Sequence, residues 1–215
     1  MTRARTMTSD MLMIYGDAIS GNCQKVRFVA DRLRIPYRWI ETSVLAGETR
    51  TPEFLALNPA GQVPTVVLPD GRPLAQSNAI ILHLAEGSDL IPADAYDRAV
   101  MLQWMFWEQY SHEPVIAVRR FHKLYLGKPD HEIEHTLAPK GERVLGIMDR
   151  HLADRRYFVG DSLTLADVAL VAYTRLAHEG GFDLAGWSHV SDWIRRVEEA
   201  LGLPDAKRET AAPRA

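Results

Sequence analysis

A polar loop after the first apolar run of the chain carries side chains that could bind an anion. The continuous apolar run at residues 11–15 predicts a buried strand, and an amphipathic helix follows the loop. Ser20 and Asn22 lie where that helix begins. Free backbone amides and the positive end of a helix stabilise anions, so the Ser20 hydroxyl or the Asn22 amide could hold one there. Alternatively, Ser20 is a simple turn or cap residue.

Two further stretches could bind parts of an extended peptide. Val63 precedes Pro64 at the start of a predicted strand, which indicates either a cis peptide bond or an edge-strand proline. In the first case the backbone of Val63 would be free to pair with a ligand as an added strand does. Gln76 and Ser77 open a predicted helix and could donate to a carboxylate, although Ser77 could equally be a cap.

The order of predicted elements divides the chain into two parts. Residues 11–86 predict a βαβ unit with a parallel crossover, followed by a β-hairpin and a helix. Residues 87–96 predict a linker, and residues 97–205 predict helices alone. The fold class is therefore α/β of βαβ-ββα order, followed by an all-α domain. Residues 1–10 and 206–215 are predicted to be a disordered extension and a flexible tail.

Local signals set boundaries within the helical part. Asp97 could cap a long helix, and Pro114 should kink or interrupt it. Thr164 and Asp167 match a capping box that begins a buried helix. Gly202 should stop the last helix.

Four motifs, taken in their order and spacing, resemble those of soluble glutathione transferases. They are Ser-Gly-Asn-Cys-Gln-Lys-Val-Arg at residues 20–27, Asn-Pro-Ala-Gly-Gln-Val-Pro at 58–64, Gln-Ser-Asn-Ala-Ile at 76–80 and Gly-Asp-Ser-Leu-Thr-Leu-Ala-Asp at 160–167. The resemblance implies a thioredoxin-like N-terminal domain, an all-helical C-terminal domain and glutathione as co-substrate. It extends to serine-type members of the theta, zeta or tau kind and to bacterial nu-like members.

The resemblance also implies roles for individual residues. Ser20 matches the serine that hydrogen-bonds the glutathione sulfur, and Asn22 matches the asparagine of nu-like members. Val63 with Pro64 matches the backbone clamp of the cysteinyl unit. Gln76 and Ser77 match the γ-glutamyl site. Gln62 lies in the clamp loop, and Thr49 and Arg50 lie in the loop that corresponds to the glycine-carboxylate site.

A glutathione transferase of this kind activates the thiol as a thiolate, which attacks an electrophilic carbon. A free thiol has a pKa of about 8.5, and a hydrogen-bond donor at a helix end lowers it. We expect the apolar electrophile to contact the helical domain at four side chains: Trp107, Tyr110, Ser111 and Val115. Core packing is the alternative for this series, above all for the neighbouring Trp104.

Several other interpretations compete with this one. Cys23, near the first helical turn, could form a mixed disulfide with glutathione, as cysteine-type members do. Glutathione-dependent disulfide reduction through Asn22, or glutathione binding without turnover, would suit the same residues. The sequence His-Glu-Ile-Glu-His at residues 131–135 matches a zinc-protease helix motif, but its polar surroundings favour a solvated turn without metal.

Composition limits the partners. The chain of 215 residues has 25 Lys and Arg against 28 Asp and Glu, so it lacks the basic surface that nucleic acid requires. No apolar run reaches the length of about 20 residues that spans a bilayer. A single cysteine and no secretion signal predict the cytoplasm. The resemblance adds a homodimer and a role in detoxification.

Overall fold

An apolar strand, an amphipathic helix and a second strand form a parallel pair at the start of the fold. The computed structural model describes residues 11–205, so the expected extension at 1–10 and tail at 206–215 lie outside the described residues. The chain divides into two units between Leu84 and Ala85. The first unit contains β1 (Leu12–Gly16), α1 (Gly21–Arg32), β2 (Tyr37–Glu41), α2 (Pro52–Leu57), β3 (Thr65–Val67), β4 (Pro73–Ala75) and α3 (Ser77–Leu84).

The sheet of the first unit has the strand order β2-β1-β3-β4. β1 runs parallel to β2, with Leu12 opposite Tyr37, whereas β3 is antiparallel to both β1 and β4. The predicted central position of the first strand, the parallel crossover and the hairpin are therefore confirmed. Because β1 and β2 are parallel, the loop after β1 lies at the carboxyl edge of the sheet, where ligands often bind.

The predicted apolar stripe of the first helix faces the core of this unit. Val26, Val29 and Ala30 are all fully buried, and Ile14 of β1 is buried with them. Leu33, which we also placed in the stripe, follows the last residue of α1 and is only half-buried. The periodic residues thus fix α1 against the sheet and set the position of its N-terminus.

The second unit is helical, as predicted. It contains α4 (Ala95–Trp107), a π-helical segment (Glu108–His112), α5 (Glu113–Leu124), α6 (Leu137–Leu152), α7 (Leu165–Thr174) and α8 (Ser188–Leu201). Pro114 lies in the first turn of α5, directly after the π-helical segment, so the expected interruption is confirmed. No helix among residues 11–205 combines the length and the apolar character that crossing a membrane requires.

Asp94, not Asp97, caps the first long helix of this unit. The Asp94 carboxylate accepts hydrogen bonds from the backbone amides of Tyr96 at 2.9 Å and Asp97 at 3.0 Å. Our expectation for Asp97 was wrong because both aspartates stand near the helix start, and only the earlier one precedes the free amides. Asp97 lies in the first turn instead, where a negative charge favours the helix dipole.

The predicted capping box is present at the start of α7 and is part of a larger buried network. Asp167 is fully buried, and one carboxylate oxygen accepts from the Thr164 amide at 2.9 Å and its hydroxyl at 3.0 Å. The other oxygen accepts from the Phe158 amide and the Trp193 indole, both at 2.9 Å. Burial raises the pKa of Asp167, and these four donors act in the opposite direction. The network joins α7 to α8 and to the loop before α7.

Replacing the Asp167 carboxylate should destabilise the helical unit. Asp167→Asn places an amide N–H₂ group against two of the four buried donors, so we expect the free energy of unfolding to fall by about 2–4 kcal/mol. Urea denaturation measures this change. The matched control is Asp161→Asn, at an exposed position, with an expected change within about 0.5 kcal/mol. Equal stability of the two variants would show that the network does not hold the unit together.

Candidate functional site

The N-terminus of α1 places Ser20 at the carboxyl edge of the sheet. Ser20 adopts an extended conformation at the N-cap position, yet its side chain makes no capping hydrogen bond. Ser20 is half-buried, and its backbone amide donates to the Asp17 carbonyl oxygen at 3.0 Å. Ser20 thus occupies a turn at the N-cap position, as the alternative of a turn or cap residue expects, but its hydroxyl leaves the first amides of α1 uncapped, and such amides can bind an anion.

Cys23 is a core residue. Its side chain is fully buried, and the Asp17 amide donates to Sγ at 3.4 Å. Burial raises the pKa of the Cys23 thiol from an ordinary value near 9 to about 12, although the neighbouring Ser20 hydroxyl and the Asp17 amide act to lower it. At neutral pH the group is a buried thiol rather than an accessible thiolate, which argues against the mixed-disulfide alternative.

Asn22 connects the N-termini of two helices. Its side-chain oxygen accepts a hydrogen bond from Lys25 Nζ at 2.8 Å and another from Ser77 Oγ at 3.0 Å. Ser77 is the first residue of α3 and is buried, with only 6% of its surface exposed. Its hydroxyl therefore donates across to α1 and does not cap its own helix, which corrects the capping alternative.

The segment before β3 presents free backbone groups. The Val63–Pro64 peptide bond is cis, so this alternative is confirmed over a plain edge-strand proline. The carbonyl oxygen of Gln62 accepts from Asn58 Nδ2 at 2.8 Å and from Thr65 Oγ1 at 2.9 Å. Among residues 11–205, neither backbone group of half-buried Val63 has a partner. These two groups can pair with a ligand backbone.

Gln76 has an unusual backbone conformation directly before α3. Its φ of 71° lies in the left-handed region, which costs a non-glycine residue on the order of 1 kcal/mol. The side chain is exposed, and the carbonyl oxygen accepts from the Ile80 amide at 2.9 Å. A conformation of this kind is retained where it directs a side chain or backbone group towards a ligand.

The two candidates for the glycine carboxylate differ in exposure. Thr49 is buried with 1% of its surface exposed, whereas Arg50 is exposed and donates from Nη1 to the Ala60 carbonyl oxygen at 3.2 Å. Gly61 has a φ of 61°, and a Cβ there would lie 2.4 Å from Arg50 Nη1. The glycine thus allows the guanidinium to lie against the loop before Val63, and Arg50 is the candidate with an accessible charge.

The expected electrophile contacts in the helical unit fall into two groups. Tyr110 is 89% exposed within the π-helical segment, and Trp107 and Ser111 beside it are half-buried. Val115 is buried in α5. Core packing is confirmed for Trp104, which is 9% exposed and contacts Trp107 edge-to-face with the ring centroids 5.2 Å apart.

The zinc-protease motif does not form the helix that its spacing requires. Only Asp130–Glu132 form a short 3-10 turn, and Ile133 is in an extended conformation. The His131 side chain is 80% exposed, and both histidines and both glutamates of the motif are exposed, so a solvated charged turn fits these four residues, whereas Ile133 is buried. Within the described part of the chain, no three potential ligands come together as a metal site.

The sequence reasoning missed three residues that shape the site. Lys25 is fully buried and holds Asn22, and Asn58 and Thr65 hold the Gln62 carbonyl oxygen. A signal for Lys25 was available, since it precedes Val29 by four residues and so shares the buried face of α1. The side-chain contacts of Asn58 and Thr65 depend on how the loop folds back on itself.

The fold is a thioredoxin-like domain followed by a helical domain. Comparisons with known proteins agree. The profile "Glutathione S-transferase, N-terminal domain" matches residues 19–86, and "Glutathione S-transferase, C-terminal domain" matches residues 106–200. The chain belongs to the glutathione S-transferase family and is an enzyme of that family.

Individual relatives extend over most of the chain. Glutathione S-transferase 3 of Zea mays is 31% identical over 213 residues, covering 94% of this chain and 93% of the maize protein. A crystal structure of glutathione S-transferase from Pseudomonas fluorescens superimposes with a TM-score of 0.85 at 44% identity, over 87% of this chain and 94% of that one. Ure2p in complex with glutathione gives a TM-score of 0.81 at 25% identity, over 89% and 96% of the two chains.

Cys23 should resist alkylation in the folded protein. The buried thiol with a pKa of about 12 has almost no thiolate at neutral pH. We therefore expect iodoacetamide to label it at least about a hundredfold more slowly in buffer than in denaturant. Mass spectrometry gives both rates without ambiguity, because the chain has one cysteine. Labelling of the folded protein at the rate of a free thiol would restore Cys23 as a candidate nucleophile.

Proposed function

We propose that the protein ionises the thiol of glutathione at the N-terminus of α1 and transfers it to an electrophilic carbon of an apolar small molecule. The observation that carries the proposal is the hydrogen bond from Ser77 Oγ to Asn22 Oδ1 at 3.0 Å. It places the residue matched to the γ-glutamyl site against a residue matched to the thiol site. The glutathione complex of the structural relative Ure2p supports glutathione as the ligand.

Three groups of the first unit hold the tripeptide in this proposal. The unpaired backbone of Val63 pairs with the cysteinyl unit. Gln76 and the amides at the start of α3 bind the γ-glutamyl end, where the helix dipole favours a carboxylate. The exposed guanidinium of Arg50 is suited to the glycine carboxylate. Together they fix the sulfur near Ser20 and Asn22.

Stabilisation of the thiolate drives the reaction. A free thiol with a pKa of about 8.5 is only a few per cent ionised at neutral pH. Donors from Ser20 and Asn22, with the positive end of α1, stabilise the anion and lower the pKa of the bound thiol. The proton leaves to solvent, the sulfur forms a bond to the electrophilic carbon, and the leaving group departs with its electron pair. The chemistry requires no metal.

The proposed second substrate and cellular role are inferred from membership of the glutathione S-transferase family. An apolar electrophile would contact the helical unit at the exposed ring of Tyr110 and the neighbouring Trp107 and Ser111, with Val115 supporting them from within. Conjugation of such compounds is a detoxification reaction. The cytoplasm, where glutathione is abundant and thiols stay reduced, is the compartment that suits it.

Disulfide reduction is a second candidate, and the orientation of Asn22 favours it. The side-chain oxygen of Asn22 accepts from Lys25 and Ser77, so the nitrogen at the other end of the carboxamide is the atom that would donate to a sulfur. One glutathione thiolate would attack a disulfide and release a thiolate, and a second glutathione would release the other half as oxidised glutathione forms. A protein that only binds glutathione would catalyse neither reaction.

Removal of the Ser20 hydroxyl should lower turnover more than binding. For conjugation of glutathione to a chloronitrobenzene, we expect Ser20→Ala to reduce kcat by about 10–100-fold, because one donor to the thiolate is lost. The KM for glutathione should change by less than about threefold, since other groups hold the tripeptide. Ser162→Ala, at an exposed position in the helical unit, is the matched control.

The outcome also separates the candidates. An unchanged kcat in Ser20→Ala would remove Ser20 from the mechanism. Turnover of a disulfide but not of the chloronitrobenzene would favour the reductase, and turnover of neither would leave a binding protein.

A homodimer is the proposed assembly. Large apolar side chains are highly exposed in the single chain, among them Leu45 at 62%, Phe106 at 71% and Tyr96 at 76%. Sedimentation equilibrium should give about twice the chain mass of 24.2 kDa at micromolar concentration. A mass equal to one chain under these conditions would contradict the dimer.

A further inference from the structure

Asn58 and Thr65 lie on either side of the loop that contains Val63, and both are buried. Asn58 follows α2, where its backbone amide donates to the Phe54 carbonyl oxygen at 2.9 Å, and only 5% of its surface is exposed. Thr65 is the first residue of β3 and is fully buried. Each side chain therefore extends from the end of a helix or strand, whereas residues 59–64 between them belong to neither.

The two side chains form a network in which each of their polar hydrogens is used. Asn58 Nδ2 donates to the Gln62 carbonyl oxygen at 2.8 Å and to Thr65 Oγ1 at 3.1 Å. Thr65 Oγ1 in turn donates to the same carbonyl oxygen at 2.9 Å. Asn58 Oδ1 accepts from the Ala60 amide at 3.1 Å, so only one orientation of the carboxamide satisfies all of its neighbours.

This network fixes the direction of the next backbone N–H group. The Gln62–Val63 peptide bond is trans, since the cis bond is the following one, Val63–Pro64. In a planar trans peptide, the C=O and the N–H point to opposite sides. Asn58 and Thr65 hold the Gln62 carbonyl oxygen against their own buried side chains. The Val63 N–H consequently points the other way, away from both of them.

The same N–H is the donor that would pair with the cysteinyl unit in the proposed function. Val63 is half-buried, and its N–H has no hydrogen-bond partner among residues 11–205. A peptide plane that is not held can rotate about the adjoining φ and ψ angles and turn its N–H elsewhere. A donor that is fixed before the ligand arrives loses less conformational entropy on binding than one that must first be ordered.

We propose that Asn58 and Thr65 are positioning residues for peptide recognition: by holding the Gln62 carbonyl oxygen, they direct the Val63 N–H at the cysteinyl carbonyl oxygen of glutathione. This inference rests on the proposed function and adds a specificity to it. The ligand must carry a carbonyl acceptor next to the cysteinyl Cα, as a peptide does. Neither positioning side chain needs to touch the ligand.

A purely structural role for the network predicts a different pattern of binding. General loosening of the fold would weaken every peptide ligand by the same factor. Loss of a directed donor weakens only those ligands that have the acceptor. A glutathione analogue whose cysteinyl carbonyl is reduced to CH₂ lacks the acceptor but keeps the thiol and both terminal carboxylates. Its new secondary amine is present with every variant, so it cancels when preferences are compared between variants.

The test is Thr65→Val, which keeps the shape of the side chain and removes the hydroxyl. Calorimetric titration gives the affinities for glutathione and for the analogue, and their ratio is the preference for glutathione. We expect this preference to fall at least about threefold in the variant, as for loss of a typical hydrogen bond. Thr65→Ser keeps the hydroxyl and should stay within about twofold of the wild type. Thr42→Val, at another buried threonine whose hydroxyl donates to a backbone carbonyl, is the matched control and should leave the preference unchanged.

A second variant and a second measurement keep the proposal testable if Thr65→Val fails to fold. Asn58→Ala removes the other donor to the Gln62 carbonyl oxygen, so it should lower the same preference at least about threefold. Hydrogen exchange followed by NMR reports the Val63 amide directly in the wild type. We expect this amide to exchange as an unbonded amide does in the free protein, and at least about tenfold more slowly with saturating glutathione.

The outcomes separate this inference from the proposed function. An unchanged preference for glutathione in folded Thr65→Val or Asn58→Ala would overturn the positioning role, even if both ligands bind more weakly, while the wild type still conjugates glutathione. A Val63 amide that is protected before glutathione is added, or that glutathione does not protect, would overturn it too. Failure of the wild type to bind glutathione at all would overturn the proposed function itself.

Discussion

In the first unit, the relative position of two helix N-termini depends on one carboxamide oxygen that accepts two hydrogen bonds. Asn22 Oδ1 accepts from Lys25 within α1 and from Ser77 at the start of α3, a residue 55 positions away. The contact fixes the N-termini of two helices beside each other at one edge of the sheet. Both helix ends carry free amides that favour anions, so a ligand with a carboxylate and a thiolate can be held by the pair.

The same unit also contains backbone groups without a hydrogen-bond partner and a residue in an unfavourable backbone conformation. Val63 leaves its backbone donor and acceptor without partners among residues 11–205, and Gln76 adopts a φ of 71°. Each feature costs stability in the free protein, and each is explained by a bound peptide. The helical unit contrasts with this, because all four hydrogen bonds to the buried Asp167 carboxylate come from the protein itself. Asp167 is consequently a folding element, whereas the proposed ligand site lies in the first unit.

Much of the fold could be predicted because its signals are local. Apolar periodicity located α1, the Thr164 to Asp167 spacing located the start of α7, and element order gave the two parts. Predicted helix boundaries were less accurate where two similar residues could both cap the helix. Asp94, and not the predicted Asp97, caps α4. The short helix α2 was not predicted, since its 6 residues are too few to show a helical period and its start depends on Thr51 accepting from the Phe54 amide.

Only part of the candidate site could be predicted from the sequence. The order of the motifs predicted Ser20, Asn22, Val63 and Ser77 as site residues, but no local pattern shows that the Ser77 hydroxyl reaches Asn22 or that the Asp17 amide donates to Cys23. Burial of Lys25 is likewise a product of tertiary packing, which overrides the usual preference of lysine for the surface. Long-range contacts decide which polar atoms of a motif face a ligand and which face the protein.

A crystal structure of the protein with glutathione tests the central claim most directly. The account predicts the cysteinyl backbone paired with Val63 and the sulfur within about 3.5 Å of Ser20 Oγ or Asn22 Nδ2. Glutathione bound with its sulfur remote from both atoms, or with its backbone unpaired to Val63, would contradict it.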